Sequence, residues 1–471
     1  MNQTFTSQIE LSILHPPENT HAVLSETERY FSHKNSSGLS EVVPSGPIEE
    51  DSAKVPGFRV GNIFIEDKII ILLGSCIGVF AVGVNDTATG ANLPSIQEHY
   101  NFPYAVVSLV FLAGFGGYLI SCVLNSMLQG AIGTRGVLLM AGFWYASGSL
   151  LATFTPPFPA VMIGLVLMGL GGGLYDTSLT SVVSHFESTK LLNIFYSFFG
   201  LGSLVSPFTI GALAKTGISW SVFYWVPFSL SVLVILCHFF LFKTYTAPSE
   251  DENSEHRGLS GKFKRMLRMQ IIWVGVPLTI LGFAINNTLG NWLTSYLIEV
   301  KGSGPDVSRY QLSVYWAGLT LGRICFSLPF IHITERAGNT PLVAALSGAI
   351  ALFWTIQSIS LNWIMVGAAG FCLGPNTPAI ISIVSARVPP SLRGIVISVV
   401  IGCGLIGATL GPLIFGIVVG KLGLKILPPV VVCNLHLFKA LAATADDELK
   451  IALAFLSALM FWFVPPREKR E

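Results

Sequence analysis

Two aspartic acids, Asp86 and Asp176, lie inside long apolar runs of the sequence, at "GVNDTATG" and "GLYDTSLT". A charged side chain at the centre of a bilayer costs at least ~2.5–3.5 kcal/mol, so such residues usually line a polar path or pair with a neighbour. Burial disfavours the charged form of a carboxyl group, which allows the group to bind and release protons. We therefore predict that both are proton-binding residues. The alternative is a neutral acid that is hydrogen-bonded to a neighbouring helix.

Amide and aromatic side chains in the same runs form a candidate site for a polar solute. Amides both donate and accept hydrogen bonds, which suits hydroxyl groups, and an aromatic face can cover the apolar side of a sugar. The alternative for each amide is a hydrogen bond that holds two helices together. The predicted substrate-binding set is Asn85, Asn286, Asn287, Trp292, Tyr175 and Asn376.

Arg323, in "GLTLGR", is the clear base within an apolar run. We interpret it as a gating residue, an ion-pair partner near the inner end of its helix, and leave open whether it contacts the solute. The seven cysteines are scattered without a CxxC pair, and no GxxxxGK[ST] loop occurs. We therefore predict no metal site, no cofactor and no ATP-driven step. The net charge of +1 gives no reason to expect nucleic acid as a partner.

These side chains must be positioned by helices that cross a membrane. The chain has 471 residues, 52% hydrophobic and 11% charged, whereas soluble domains have about 25% charged residues. A helix of about 20 apolar residues crosses a bilayer. We predict an all-α membrane protein with twelve such helices, although the stretch "ILPPVVVCNLHLF" before the last one is ambiguous. The runs fall near 68–92, 104–128, 135–154, 158–183, 191–214, 220–242, 270–298, 309–331, 340–360, 362–386, 393–420 and 448–464.

Polar segments flank and divide these runs. Residues 1–67 are rich in Ser, Glu and Pro without periodicity, which predicts a disordered tail. Residues 243–268 form a polar central segment whose basic half, "GKFKRMLR", is either a short helix on the membrane surface or a solvated linker. Lys and Arg are more abundant in the loops on the side of the N-terminus. This excess predicts that the tail, the linker and residues 465–471 are all cytosolic.

Three pairs of motifs recur in the same order at nearly one offset. "VNDTATGANL" resembles "INNTLGNWL", and "GLYDTSLTSVVS" resembles "GPNTPAIISIVS". Pro207 and Gly211, followed by Lys215, match Pro412 and Gly416, followed by Lys421. These repeats predict two pseudo-symmetric six-helix bundles, over 68–242 and 269–464, the arrangement of major facilitator transporters.

The motifs "GVNDTATGANLPSIQEHYN", "GLGGGLYDTS", "FFGLGSLVSPF", "GNWLTSYL", "WAGLTLGR" and "GPNTPAIIS" resemble fungal members of the fucose–glucose–galactose:proton symporter branch of the major facilitator superfamily. The resemblance covers about residues 68 to 464. It implies that Asn85 and Asp86 contribute to sugar binding and that Asp176 takes the proton. The chain departs from the branch at Asn286, where relatives often have an acid, at Tyr196, where they often have His, and at the reduced loop signature "GTRG".

The resemblance leads to a first hypothesis of a proton-linked secondary transporter that takes up a small polar solute, with a sugar as the first guess. The alternatives are an exporter of a fungal metabolite or toxic compound and, with less support, a nutrient sensor on a transporter fold. A membrane enzyme is disfavoured, because an intramembrane aspartyl protease usually has "GxGD" where this chain has "GVND". We expect a monomer in contact with lipid, in the plasma membrane by default, with the vacuolar membrane as the alternative.

Overall fold

The computed structural model describes residues 57–60, 63–184, 189–243, 264–326, 335–376 and 390–443, with residues 186, 245, 328, 380, 384, 387 and 388 between them. Most of the predicted tail, most of the predicted linker and the predicted span 448–464 lie outside this part. Within the predicted tail, strand β1 (Gly57–Val60) pairs antiparallel with strand β2 (Ile63–Glu66). The sequence predicted no order there.

The first half of the described chain follows the predicted runs closely. The predicted second and third spans form two helices that meet at Gly133, whose φ of 70° and ψ of 166° are not helical, and the label α3 (Leu109–Thr153) covers both. A 3₁₀ turn, Trp220–Tyr224, leads into the last helix of this half. The helices are α1 (Asp67–Tyr100), α2 (Tyr104–Val107), α3 (Leu109–Thr153), α4 (Phe158–Ser184), α5 (Thr189–Lys215) and α6 (Trp225–Leu241).

The second half of the described chain repeats this series of six long helices. The stretch that the sequence left ambiguous forms a helix, α12, which packs against α7 and α9. The helices are α7 (Gln270–Glu299), α8 (Pro305–Phe326), α9 (Glu335–Thr355), α10 (Ile359–Leu373), α11 (Pro390–Leu422) and α12 (Leu427–Ala443). Among the described residues, eight helical segments are long and apolar enough to cross a membrane. Apart from the short antiparallel pair β1–β2, the described residues therefore form an all-α, multi-pass membrane fold.

The helices pack first within each half and then across the halves. In the first half α1 packs against α5, and α3 packs against α4 and α6; in the second half α7 packs against α11, and α8 against α10. Across the halves α5 packs against α8, α1 against α7, and α2 and α3 against α11.

The two halves share a hydrophobic core at one end of the bundle. We call this the closed end: α1 ends there at Tyr100 and α8 begins there at Pro305. One core cluster joins Ala91, Ile96 and Val107 of the first half to residues of α7, α8 and α11. A second cluster, which reaches from Ile71 to Phe242 at the opposite end, is confined to the first half. The halves are thus packed together most continuously at the closed end.

Candidate functional site

Asp86 lies in the middle of α1, and its side chain is exposed although its neighbours Asn85 and Thr87 are buried. The exposed face does not point to lipid, because polar groups of two other helices lie within electrostatic reach. These are Asp176 of α4 and Tyr118 and Tyr145 of α3. Asp86 therefore faces a space between helices that water can enter.

Asp176 lies across this space on α4 and is half-buried. The Tyr118 hydroxyl on α3 donates a hydrogen bond to its Oδ2 at 2.5 Å. The Thr180 hydroxyl, one helical turn further along α4, is a second hydrogen-bond partner. Asp176 is thus held by two hydroxyl groups. The two carboxyl groups of the site therefore differ in their surroundings, because Asp86 is exposed and Asp176 is hydrogen-bonded.

The opposite wall of the site is formed by the second half. Tyr315 of α8 donates a hydrogen bond to the Asn286 Oδ1 of α7 at 2.7 Å. Arg323 of α8 is half-buried, and Tyr315 and Tyr196 are its electrostatic neighbours. Its Nε donates to the Gly374 carbonyl at 3.4 Å.

A continuous band of polar groups connects the two walls. Tyr196 of α5 lies 3.3 Å, oxygen to oxygen, from Thr180, and its hydroxyl group is within electrostatic reach of Arg323. The band therefore crosses from the first half to the second where α5 packs against α8. Its members are Asp86, Asp176, Thr180, Tyr196, Arg323, Tyr315 and Asn286.

Two residues of the predicted substrate-binding set lie in packed surroundings away from this band. Trp292 is fully buried, donates its indole N–H to the Pro412 carbonyl at 3.0 Å and packs against aromatic rings that include Phe415. Tyr175 is 1% exposed and packs between the rings of Tyr145 and His238. The structure therefore places both in helix packing, and a solute-binding role for either is still untested.

The remaining predicted amides are at varying distances from the band. Asn85 is buried beside the Tyr145 hydroxyl. Asn287 is half-buried and donates to the Phe283 carbonyl one turn back on α7 at 3.0 Å. Asn376 is buried and lies two residues beyond the carbonyl that Arg323 contacts. Of all the residues predicted to bind protons, to bind solute or to act as a gate, Asp86, Asp176, Arg323 and Asn286 are the ones that belong to this polar band.

Sequence reasoning did not assign a role to Tyr118, Thr180 or Tyr315. Phenol side chains in apolar runs resemble core aromatics, so nothing in their local sequence marks them as polar partners. Thr180 carries one usable signal, because residues four apart on a helix lie on one face. Among the described residues, no three His, Cys, Asp or Glu side chains are grouped so that they could hold a metal ion.

Comparison with known proteins places this architecture among transporters. A sequence model of the Major Facilitator Superfamily matches residues 75–412. A relative from Saccharomyces cerevisiae, "Bypass of stop codon protein 6", is 28% identical over 402 residues, covering 75% of this chain and 78% of that protein. "Efflux pump aunC" from Aspergillus niger is 25% identical over 226 residues, covering 46% of this chain and 37% of the pump.

Solved structures share the same arrangement of helices. The crystal structure of a D-xylose-proton symporter superimposes with a TM-score of 0.65 at 13% identity and covers 84% of this chain and 98% of its own. A nucleoside transporter, NupG, superimposes with a TM-score of 0.62 at 12% identity, covering 85% of this chain and 100% of its own. At such identities the likeness concerns the fold.

Proposed function

Because the chain belongs to the Major Facilitator Superfamily, whose members carry small solutes, we propose that it transports a small polar organic solute together with protons. Transport follows alternating access, in which the two halves rock about a fixed central site. A sugar is the first candidate solute. The protein works as a monomer in the plasma membrane, with both termini in the cytosol.

The observation that carries this proposal is the exposure of Asp86 in the middle of an apolar helix, opposite Asp176. Two carboxyl groups in one site repel each other when both are ionised, so their combined charge depends on proton binding. A site that exchanges protons with water on alternate sides of the membrane can use a proton gradient to accumulate solute. Asp176 is the coupling residue, because the hydroxyls of Tyr118 and Thr180 can hydrogen-bond to it in either protonation state.

The half-buried amide of Asn286 forms the solute-binding wall of the second half. The buried Tyr315 hydroxyl donates to Asn286 and fixes its orientation. Together with Asn85 of the first half, Asn286 presents donors and acceptors suited to hydroxyl groups. This wall supports a sugar or a sugar-like polyol as substrate.

Asp176→Asn tests the coupling role. Reconstituted into liposomes under an imposed pH gradient, the variant should lose at least ~90% of proton-driven accumulation, because an amide cannot release a proton. It should still exchange labelled solute across the membrane. Glu299→Gln is the matched control, since it removes an exposed carboxyl group at the closed end of α7, and it should accumulate solute normally. Accumulation by Asp176→Asn at the level of the control would exclude this role.

Export of a metabolite is the second candidate function. It is favoured by the similarity to the protein named efflux pump aunC. A panel of sugars, organic acids and aromatic metabolites, tested with the pH gradient imposed in either direction, separates the candidates. Sugar accumulation on the alkaline side supports symport, whereas extrusion of an aromatic compound against the proton flow supports efflux.

A further inference from the structure

Arg309, one turn into α8, is a buried cation outside the central site. It is 2% exposed, although it follows the polar stretch "KGSGPD" closely in the sequence. Its Nη1 donates to the Pro305 carbonyl of its own helix at 2.7 Å. Its other two hydrogen bonds reach the other half of the molecule, where Nε donates to the Ala91 carbonyl at 3.0 Å and Nη2 to the Ser95 hydroxyl at 2.6 Å.

The surrounding contacts show that Arg309 lies in the seam between the halves. A Cβ atom on Gly90, beside Ala91, would be 2.6 Å from the Asn291 Cα of α7, so α1 and α7 cross in direct backbone contact. The rings of Phe208 on α5 and Tyr310 on α8 are 5.3 Å apart. The guanidinium therefore bridges two halves that touch closely at this level.

The bonds of Arg309 can exist only while the closed end is closed. Both cross-half acceptors belong to α1, whereas the cation belongs to α8. When the halves separate there, the guanidinium loses both bonds and exchanges them for water. Hydrogen bonds to charged groups each contribute about 1.5–3 kcal/mol, so the two cross-half bonds stabilise the closed arrangement relative to the open one. The carboxyl groups of Asp306 and Glu98 are electrostatic neighbours of the cation and help to hold its charge in the seam.

We propose that Arg309 is the lock of the closed end: it sets the ratio of the closed to the open arrangement, and each transport cycle must break its bonds to Ala91 and Ser95. This rests on the proposed alternating-access function, but it does not depend on proton coupling or on the identity of the solute. Its role is to position the two halves, and it does not contact the central site.

Lys301 provides a matched control at the same end of the molecule. Its ammonium also donates to two backbone carbonyls, those of Phe353 and Ile356. All three residues belong to the second half. Removal of Lys301 therefore costs a comparable set of bonds without changing any contact between the halves.

The test measures a distance across the closed end in lipid nanodiscs. Spin labels are placed at Thr216→Cys in the first half and Lys421→Cys in the second, both exposed, in a protein whose seven native cysteines are replaced. Double electron–electron resonance then gives the fractions of short and long distances, without solute and without a pH gradient. Arg309→Met, which removes both cross-half bonds, should lower the ratio of short to long distances by about a hundredfold or more. Ser95→Ala, which removes one acceptor, should lower it by about tenfold.

Each outcome decides the proposal. A shift in Arg309→Met and Ser95→Ala, with Lys301→Met unchanged, supports the lock. An unchanged distribution in Ser95→Ala and Arg309→Met, or an equal shift in Lys301→Met, overturns it. If Arg309→Met does not yield a folded protein, Ser95→Ala decides alone. Because neither solute nor a pH gradient is applied, failure here leaves the coupling role of Asp176 standing, and loss of coupling in Asp176→Asn leaves the lock standing.

Discussion

Individual ionisable residues in the interior of this protein are accommodated in two different ways. Asp86 keeps its contact with water because it faces the space between helices. Asp176 and Arg309 are instead hydrogen-bonded by neighbours, the first by Tyr118 and Thr180 and the second by Pro305, Ala91 and Ser95. Hydration suits a group that must meet solute, whereas fixed hydrogen bonds suit a group whose position matters.

Asp86→Asn should weaken solute binding by about tenfold, because the amide removes one strong hydrogen-bond acceptor of the exposed side chain. The measurement is the dissociation constant of the solute identified in the liposome panel, determined on purified protein. Thr87→Val is the control. The buried Thr87 hydroxyl donates to the Gly83 carbonyl of its own helix and to the Ser203 carbonyl of α5, so it serves helix packing. Equal affinities for Asp86→Asn and the unsubstituted protein would remove Asp86 from the binding site.

The predictable residues were those whose type conflicts with their local sequence. An acid or a base in an apolar run stands out, and this led to Asp86, Asp176 and Arg323. A single sequence does not tell which neighbour a helix face meets: the Trp292 indole packs against Phe415, and its predicted role of covering a solute stays a prediction. The burial of Arg309 could not be predicted, because a cation soon after a polar stretch is in keeping with its local sequence.

At the scale of elements, the predicted runs match the helices because membrane spans have one dominant signal, a continuous apolar stretch of fixed length. The signal fails where it is interrupted. The prolines and the polar residues of "ILPPVVVCNLHLF" obscured α12, although a helix can begin with proline in its first turn. The predicted span 448–464 stays a prediction.

Helix contacts in the first half depend on small residues at particular positions of α3. A Cβ atom on Gly117 would be 2.0 Å from the Val166 carbonyl oxygen of α4, whereas one on Gly116 would have nothing within 4 Å. Gly117→Ala must therefore push α3 away from α4, and we expect it to lower the melting temperature of the purified protein by several degrees. Gly116→Ala, its neighbour, should leave the melting temperature within about 2 °C or raise it, since alanine favours helix. Equal melting temperatures for the two variants would contradict the close α3–α4 packing.

At the scale of the whole molecule, two kinds of contact join the halves at different depths. The closed end combines a shared apolar core, the Gly90 crossing and the Arg309 bonds. At the level of the central site, polar side chains of α5 and α8 meet through Tyr196 and Arg323. An apolar seam excludes water, whereas a polar band can stay hydrated. We therefore expect a seal at the closed end of the site and access for water from the opposite end.

This asymmetry predicts from which side reagents reach the central site. In a protein without its native cysteines, Asp86→Cys should react with a membrane-impermeant thiol reagent added from the side opposite the closed end. It should react at least about tenfold more slowly from the closed-end side while Arg309 is present. The charge distribution predicts that the opposite end is cytosolic, and on that prediction inside-out vesicles should label whereas right-side-out vesicles should not. Thr87→Cys, at a buried position of α1, is the control and should resist labelling from both sides. Labelling of Asp86→Cys from the outer side alone would reverse the assignment of the closed end, and equal resistance of both cysteines would show that no water path reaches Asp86.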